Sequence, residues 1–301
     1  MKVKVFLMML LMLAVGSVAC ADEVDVKYRV ARKYMVETKQ TITVSMDEAY
    51  RQNAIMVMGE GAPKKSATGG ARRLTAITAA KVTAQRRLAE MLHGVAVAGE
   101  TTVQDSELAS DVITSMVQGV VRGAKVVAQD WNPAEETAIV ILKVGTKGPK
   151  SFAAVMYERL LMAPKIKQAL EVPVYTPPPD MPSLPPVSQA YDGLIIDATA
   201  FSFRPALINR IFNPNGEVIY DPAKISQKVL VEQGCGEYTN TVDKARAALG
   251  KRGVKNALVV QASGTVSSSD LQVSREVAVQ IFSANQNSGF MADARVAFVL
   301  K

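Results

Sequence analysis

The sequence predicts an α+β fold in two domains, each with helices packed on a mixed or mostly antiparallel sheet, joined by a Pro-rich spacer. Three observations carry this reading. Seven of the 14 prolines fall between Pro173 and Pro186, a stretch in which fixed φ angles and missing amide donors disfavour helix and sheet. On both sides of it, short apolar runs alternate with segments of helical period. A content of 49% hydrophobic and 21% charged residues over 301 positions suffices for a core and excludes wholesale disorder.

Residues 1–21 read as a secretory signal peptide. Lys2 and Lys4 are basic, Val5 to Val15 is apolar, and small residues follow. The run is short for a membrane span, and Asp22, Glu23 and Asp25 come directly after it. Two processing routes stay open. Ala19-Cys20-Ala21 fits cleavage before Asp22, whereas Ser17-Val18-Ala19-Cys20 resembles a lipobox, with serine where leucine is usual. In the second case Cys20 is lipidated and tethers the chain to a membrane surface. Either route leaves Cys235 as the one free thiol, buried and inert or reactive, and no internal disulfide can form.

The first domain, 22–165, begins its readable pattern at the strand Ala54–Met58, which ends at Gly59-Glu60-Gly61-Ala62-Pro63. A helix follows from about Thr68 to His93, with Leu74, Ile77, Ala80, Ala84, Leu88 and Met91 on its apolar face. Ala76, Ala79 and Ala89 are small residues off that stripe, where another element could come close. Gly94 is the candidate left-handed C-terminal stop. Alternation at Val95, Val97, Gly99, Thr101 and Val103 predicts a half-exposed strand. A helix over about 105–119, strands over 122–131 and 137–144 with a turn at Asn132-Pro133, and a closing helix over 151–162 complete a layer with helices on one face of the sheet. The linker spans 173–187.

The second domain, 188–301, reads as α/β or α+β. Gly193–Ala198 is a strand, and Asn213-Pro214-Asn215-Gly216 predicts a hairpin between Ala206–Ile211 and Glu217–Tyr220. Asp221-Pro222 suits a helix start. Helices over 241–250 and 274–284 and strands over 257–262 and 292–300 follow.

Several chemistries fail on residue type. His93 is the sole histidine, which removes multi-histidine metal sites and leaves one candidate for a serine or cysteine partner. Gly59-Glu60-Gly61 lies between strand and helix, but Lys64 stands where a dinucleotide loop needs its third glycine, and Pro63 removes an amide donor. Asp192 and Asp197 fall on opposite faces of one strand, so they do not form a glycosidase pair. No catalytic, cofactor-binding or metal-binding residue is assigned, and no cofactor is expected. Net charge is +7, or +5 without Lys2 and Lys4, a mild surplus that suits solubility or contact with anionic envelope material. Export removes the chain from nucleic acid.

Two surface groups are the candidate interface. Arg72, Arg86 and Arg87 make the long helix basic, as a solvated face or an anionic docking surface. Phe201, Phe203 and Arg204 form an aromatic–basic segment of the type enriched at interface hot spots, with core packing as the alternative for the phenylalanines.

A resemblance runs through residues 54–144, under a third of the chain. It is carried by Met58-Gly59-Glu60-Gly61-Ala62 and Arg72-Arg73-Leu74-Thr75-Ala76, then Ala79-Ala80, Ala84, Leu88-Ala89 and Leu92-His93-Gly94-Val95. Val120-Val121-Arg122-Gly123-Ala124, Trp131 and Ala138-Ile139-Val140-Ile141 close it. This stretch resembles the Lpp-twenty-type envelope lipoprotein family, whose domain is similar to the N-terminal region of flagellar assembly protein T. The resemblance implies an exported, non-enzymatic envelope protein, periplasmic or anchored at the outer membrane, with envelope or flagellar basal-body proteins as partners and self-association as another contact. The alternative is a periplasmic binding module for peptidoglycan, lipopolysaccharide or lipid.

Overall fold

A computed structural model describes residues 29–107, 110–162, 164–177 and 190–301. The signal peptide with Cys20, and the prolines from Pro178 to Pro186, lie outside the described residues. The fold is α+β.

Packing groups the residues differently from the chain-order division at the proline run. One compact unit gathers the described part of Met1–Ile42 with Met56–Leu88 and Ala124–Lys143; the other gathers Thr43–Ile55, Ala89–Gly123 and Val144–Lys301. The reason is visible in the middle of the chain. Ala96 and Val97 offer their carbonyls to the amides of Leu207 and Ile208, at 2.9 and 2.8 Å. Covered in this way, Val95, Ala96, Val97 and Ala98 are all buried. The half-exposed strand expected here is a short hairpin, β2 (Ala96–Ala98) and β3 (Thr101–Thr102), turning at Gly99 with φ +60.

In the first unit, β1 (Ala54–Gly61), β5 (Thr137–Gly145) and β4 (Lys125–Asn132) form a sheet in the order β1-β5-β4, with β4 and β5 antiparallel. Successive residues of β1 face opposite sides. Met56 and Met58 meet Ala31 and Tyr34 of a helix absent from the sequence reading, α1 (Arg29–Thr38), together with Ile139 and Ile141. Gly59 and Gly61 face the long helix, α3 (Gly70–His93). A Cβ on Gly59 would stand 2.2 Å from Ala80 O and from Ala84 N, and one on Gly61 2.2 Å from Ala80 N. Helices therefore cover both faces of this sheet rather than one.

That close approach also resets the stripe of α3. Ala76, Ala80, Ala84, Leu88 and Leu92 are fully buried at a spacing of four, while Leu74 is 68% exposed. A backbone lying on glycine selects alanine, so side-chain hydrophobicity ranks the wrong face at Leu74. The helix ends at His93, but Gly94 is not left-handed; the Val95 amide simply donates to Leu92 O at 3.1 Å.

The second unit holds two four-stranded sheets. One is parallel throughout, in the order β10 (Ala257–Gln261), β6 (Gly193–Asp197), β13 (Val296–Val299), β9 (Glu237–Thr239). Ile195, Ala297 and Val299 on one face pack on Ala245 and Leu249 of α9 (Val242–Gly250). The other sheet is mixed, β11 (Gly264–Ser267), β12 (Asp270–Gln272), β7 (Arg210–Phe212), β8 (Val218–Tyr220). Its β7–β8 hairpin turns on the Asn-Pro-Asn-Gly signal: Asn213 Oδ1 accepts from the amides of Asn215 and Glu217, and Gly216 has φ +80.

After α3 the chain forms α4 (Val103–Glu107), α5 (Asp111–Gly123), α6 (Phe152–Met162) and α7 (Pro164–Leu170). Short polar residues start several of the later helices as their chemistry dictates. Ser226 caps α8 (Gln227–Gln233), Thr241 caps α9 and Ser274 caps α10 (Arg275–Ser288), each accepting an amide hydrogen bond. Asp221 does the same, but for a single 3-10 turn, Pro222–Lys224, so the helix expected to begin there starts five residues later.

Candidate functional site

The parallel sheet places its strand ends together. β6 ends at Asp197 and runs into the loop 198–209; β13 ends at Val299 and runs into Leu300 and Lys301. Crevices beyond the carboxyl ends of parallel strands are the usual place for a ligand in open α/β sheets. A cleft of about 460 Å³ lies here, lined by Asp47, Glu100, Phe201, Arg204, Ser268 and Lys301, with Phe203 in its floor.

Asn209 shapes the loop that carries Phe201 and Arg204. This residue is fully buried, and its Oδ1 accepts from the Ala206 amide at 2.7 Å and from the Tyr238 hydroxyl. Its Nδ2 donates to Arg204 O at 3.1 Å and to Ser269 O at 2.6 Å. The Arg204 amide in turn donates to Ser268 O at 2.9 Å. Asp197 fixes the start of the loop by accepting from Thr199 N and Oγ1.

The cleft carries both signs of charge. Ser268 holds the Glu100 carboxylate by its amide and by its hydroxyl, at 2.5 and 2.9 Å, and these bonds keep the carboxyl below the ordinary glutamate range. Arg204 Nη2 lies 3.8 Å from Glu100 Oε2, a long pairing, and its side chain is 41% exposed, although its Nε is buried without a hydrogen-bond partner. Asp47 on α2 (Met46–Arg51) is half-buried, and desolvation raises its pKa against the pull of Arg51 and Arg204.

Beneath the cleft lies a buried polar cluster. Tyr157 donates to Leu207 O at 2.9 Å and Tyr220 to Cys235 O at 2.6 Å. Cys235 Sγ is 2.9 Å from the Tyr238 hydroxyl. The thiol is 2% exposed, and burial pushes its pKa up, so it is held as the unreactive protonated form. The adjoining cavity, about 10 Å³, is at the limit of what one water fills.

The other sequence candidates separate. Phe201, Phe203 and Arg204 all line the cleft, but Phe203 is 6% exposed and packs on Phe298 with ring centroids 5.4 Å apart. On α3 the basic residues are partly in structural use. Arg72 pairs bidentately with Glu136 in the β4–β5 turn, and Arg87 Nη1 donates to Met58 O at 2.6 Å. Arg86 is exposed. The carboxylates weighed for acid–base work are likewise engaged: Asp192 accepts from the amides of Lys255 and Asn256. Among the described residues no group of three His, Cys, Asp or Glu side chains could hold a metal ion.

Sequence reasoning missed Asp47, Glu100, Ser268 and Lys301. Each belongs to a different segment, so no spacing links them to Phe201 and Arg204.

A family model described as Treponema pallidum Tp0624, second domain, matches residues 193–301. The match begins with the first residue of β6 and takes in both four-stranded sheets of the second unit. No curated protein matches the chain.

Proposed function

We propose that this chain is an exported, non-enzymatic envelope protein that acts as a structural or assembly component through protein–protein contacts, and that the carboxyl-end cleft is one of those contacts. The observation that carries the reading is the contrast between the cleft and the groups beneath it. Cys235, the tyrosines and Asn209 are buried in mutual hydrogen bonding, whereas Phe201, Glu100 and Arg204 stand at an open cleft with a guanidinium only loosely paired. An aromatic ring beside an arginine, on a loop fixed from below, is the composition of a recognition hot spot. The resemblance at 54–144 adds the setting: the periplasm, with outer-membrane anchoring if Cys20 is lipidated, and flagellar basal-body proteins among the candidate partners.

A second reading, a binding module for an envelope ligand, draws on the cleft volume, which lies within the range of small-molecule sites. One experiment separates the two. The tagged chain, wild type and Arg204→Glu, is cross-linked in living cells and recovered from the envelope fraction. The assembly reading predicts a discrete set of proteins that the charge reversal removes. Recovery of peptidoglycan, lipopolysaccharide or lipid in their place supports the second reading, and an identical protein set from both chains counts against the cleft as the contact.

A further inference from the structure

The segment just before the proline run pairs with a sheet. The Val218 amide donates to Pro173 O at 2.8 Å and the Tyr175 amide donates to Val218 O at 2.9 Å, a parallel bridge between Val174 and β8. The β8 edge of the mixed sheet is thereby covered at one bridge position. Pro173 enters this pairing through its carbonyl, which needs no amide hydrogen, so a proline is compatible with sheet here. The pattern is that of an extended peptide taken up at a sheet edge, with backbone hydrogen bonds supplying adhesion and alternate side chains supplying selectivity. In this molecule the peptide is the chain itself.

Tyr175 is the anchor. Its ring is 4% exposed and meets Phe282 of α10 edge-on, with centroids 5.9 Å apart. Val174 points the opposite way and is 58% exposed. The hold is slight. Among the described residues two backbone bonds and one ring contact hold the segment, and the Tyr175 hydroxyl is buried with no hydrogen-bond partner. An orphaned hydroxyl opposes the burial of its own ring. Pro173 and Pro177 frame the pairing, and neither has an amide with which to lengthen it. Alongside, an open groove of about 230 Å³ runs past Val174, Tyr220, Asp221, Lys224, Asn285 and Met291.

We propose that Pro173–Tyr175 is a releasable clasp, which occupies the β8 edge in the resting chain and gives way to a partner protein's extended strand carrying a phenylalanine at the Tyr175 position. Phenylalanine follows from the orphaned hydroxyl: the seat accepts the ring and gives the oxygen no hydrogen bond. The proposal stands apart from the cleft and does not rest on the envelope reading.

The test uses the full chain in three forms, wild type, Tyr175→Ala and Tyr175→Phe. Hydrogen exchange is followed at Val218, with amides of the central strand β6 as the reference for global stability. The probe is the synthetic peptide Glu-Val-Pro-Val-Phe-Thr-Pro, the sequence of 171–177 with phenylalanine in the fifth place. Tyr175→Ala is expected to speed exchange at Val218 at least tenfold relative to β6 and to bind the peptide. Tyr175→Phe is expected to slow that exchange and to bind the peptide more weakly than wild type. Unchanged Val218 exchange in Tyr175→Ala, or no peptide binding by that variant with β6 still protected, overturns the clasp. Faster exchange in Tyr175→Phe than in wild type overturns the choice of side chain. If Tyr175→Ala loses β6 protection as well, the comparison between wild type and Tyr175→Phe decides by itself.

Discussion

Asn209→Ala tests the foundation of the cleft. The substitution removes four hydrogen bonds, two within the loop 204–209 and one each to Ser269 and Tyr238. The Ala206 amide and the Ser269 carbonyl are left buried without these partners, while the Tyr238 hydroxyl keeps Cys235 Sγ at 2.9 Å and Ala206 O at 3.4 Å. A buried polar group stripped of its partner costs about 1–3 kcal/mol. Two such groups at the lower end, since the vacated volume admits a water, give roughly 2–3 kcal/mol. At about 2–4 °C per kcal/mol for a unit of this size, the melting temperature falls by roughly 4–12 °C. Thermal denaturation of the full chain followed by far-ultraviolet circular dichroism reads the shift. Hydrogen exchange at the Arg204 amide, bonded to Ser268 O, should accelerate more than exchange in β6. A fall of less than about 2 °C, below the cost of even one orphaned group, refutes the claim that Asn209 holds this loop.

Three other outcomes follow from the same physics. Gly59→Ala forces a methyl against the backbone of Ala80 and Ala84, which has no flexible end to yield, so unfolding should be easier by at least the 1–3 kcal/mol of an overpacked core in denaturant titration; an unchanged midpoint would show that α3 moves away freely. Cys235 should resist a thiol reagent at pH 8 until denaturant is added, because burial raises its pKa and covers the sulfur; labelling of the native chain within minutes would contradict this. Asp47 has a folded pKa above its ordinary value, so its ionised form opposes folding at neutral pH, and that penalty disappears as pH falls through the raised pKa. Asp47→Asn should therefore melt higher than wild type at pH 7 and equally at roughly pH 3, in paired thermal scans; a lower melt at pH 7 would mean that attraction to Arg51 and Arg204 outweighs desolvation.

Local chemistry was legible in the sequence wherever one short segment decided the outcome. Asn213-Pro214-Asn215-Gly216 specifies its own turn, and Thr241 and Ser274 announce the helices they cap. The apolar run at Ala54 needed only its β-sheet character to be read as a strand. The failures have a common cause in distant contacts. Leu74 looked like core because leucine is hydrophobic, but the Gly59 and Gly61 backbones select the face of α3 bearing Ala76, Ala80 and Ala84. Val95 to Ala98 looked half-exposed because nothing local shows that Leu207 and Ile208 cover them. β9 and β12 are three residues long and take their form from β13 and β7, far away in sequence. Of the cleft, Phe201 and Arg204 were readable as a pair, whereas Asp47, Glu100, Ser268 and Lys301 are brought to them only by the fold.

The central claim is that the carboxyl-end cleft holds a partner protein. Ser202 is an exposed residue of its lining, so a photo-cross-linking amino acid placed there probes the cleft without removing Phe201 or Arg204. Irradiation of living cells should give one discrete protein adduct from Ser202, absent when Arg204→Glu is present as well and absent from a probe at exposed Lys81 on α3. No protein adduct at Ser202, or the same adducts from Ser202 and Lys81, would contradict the account.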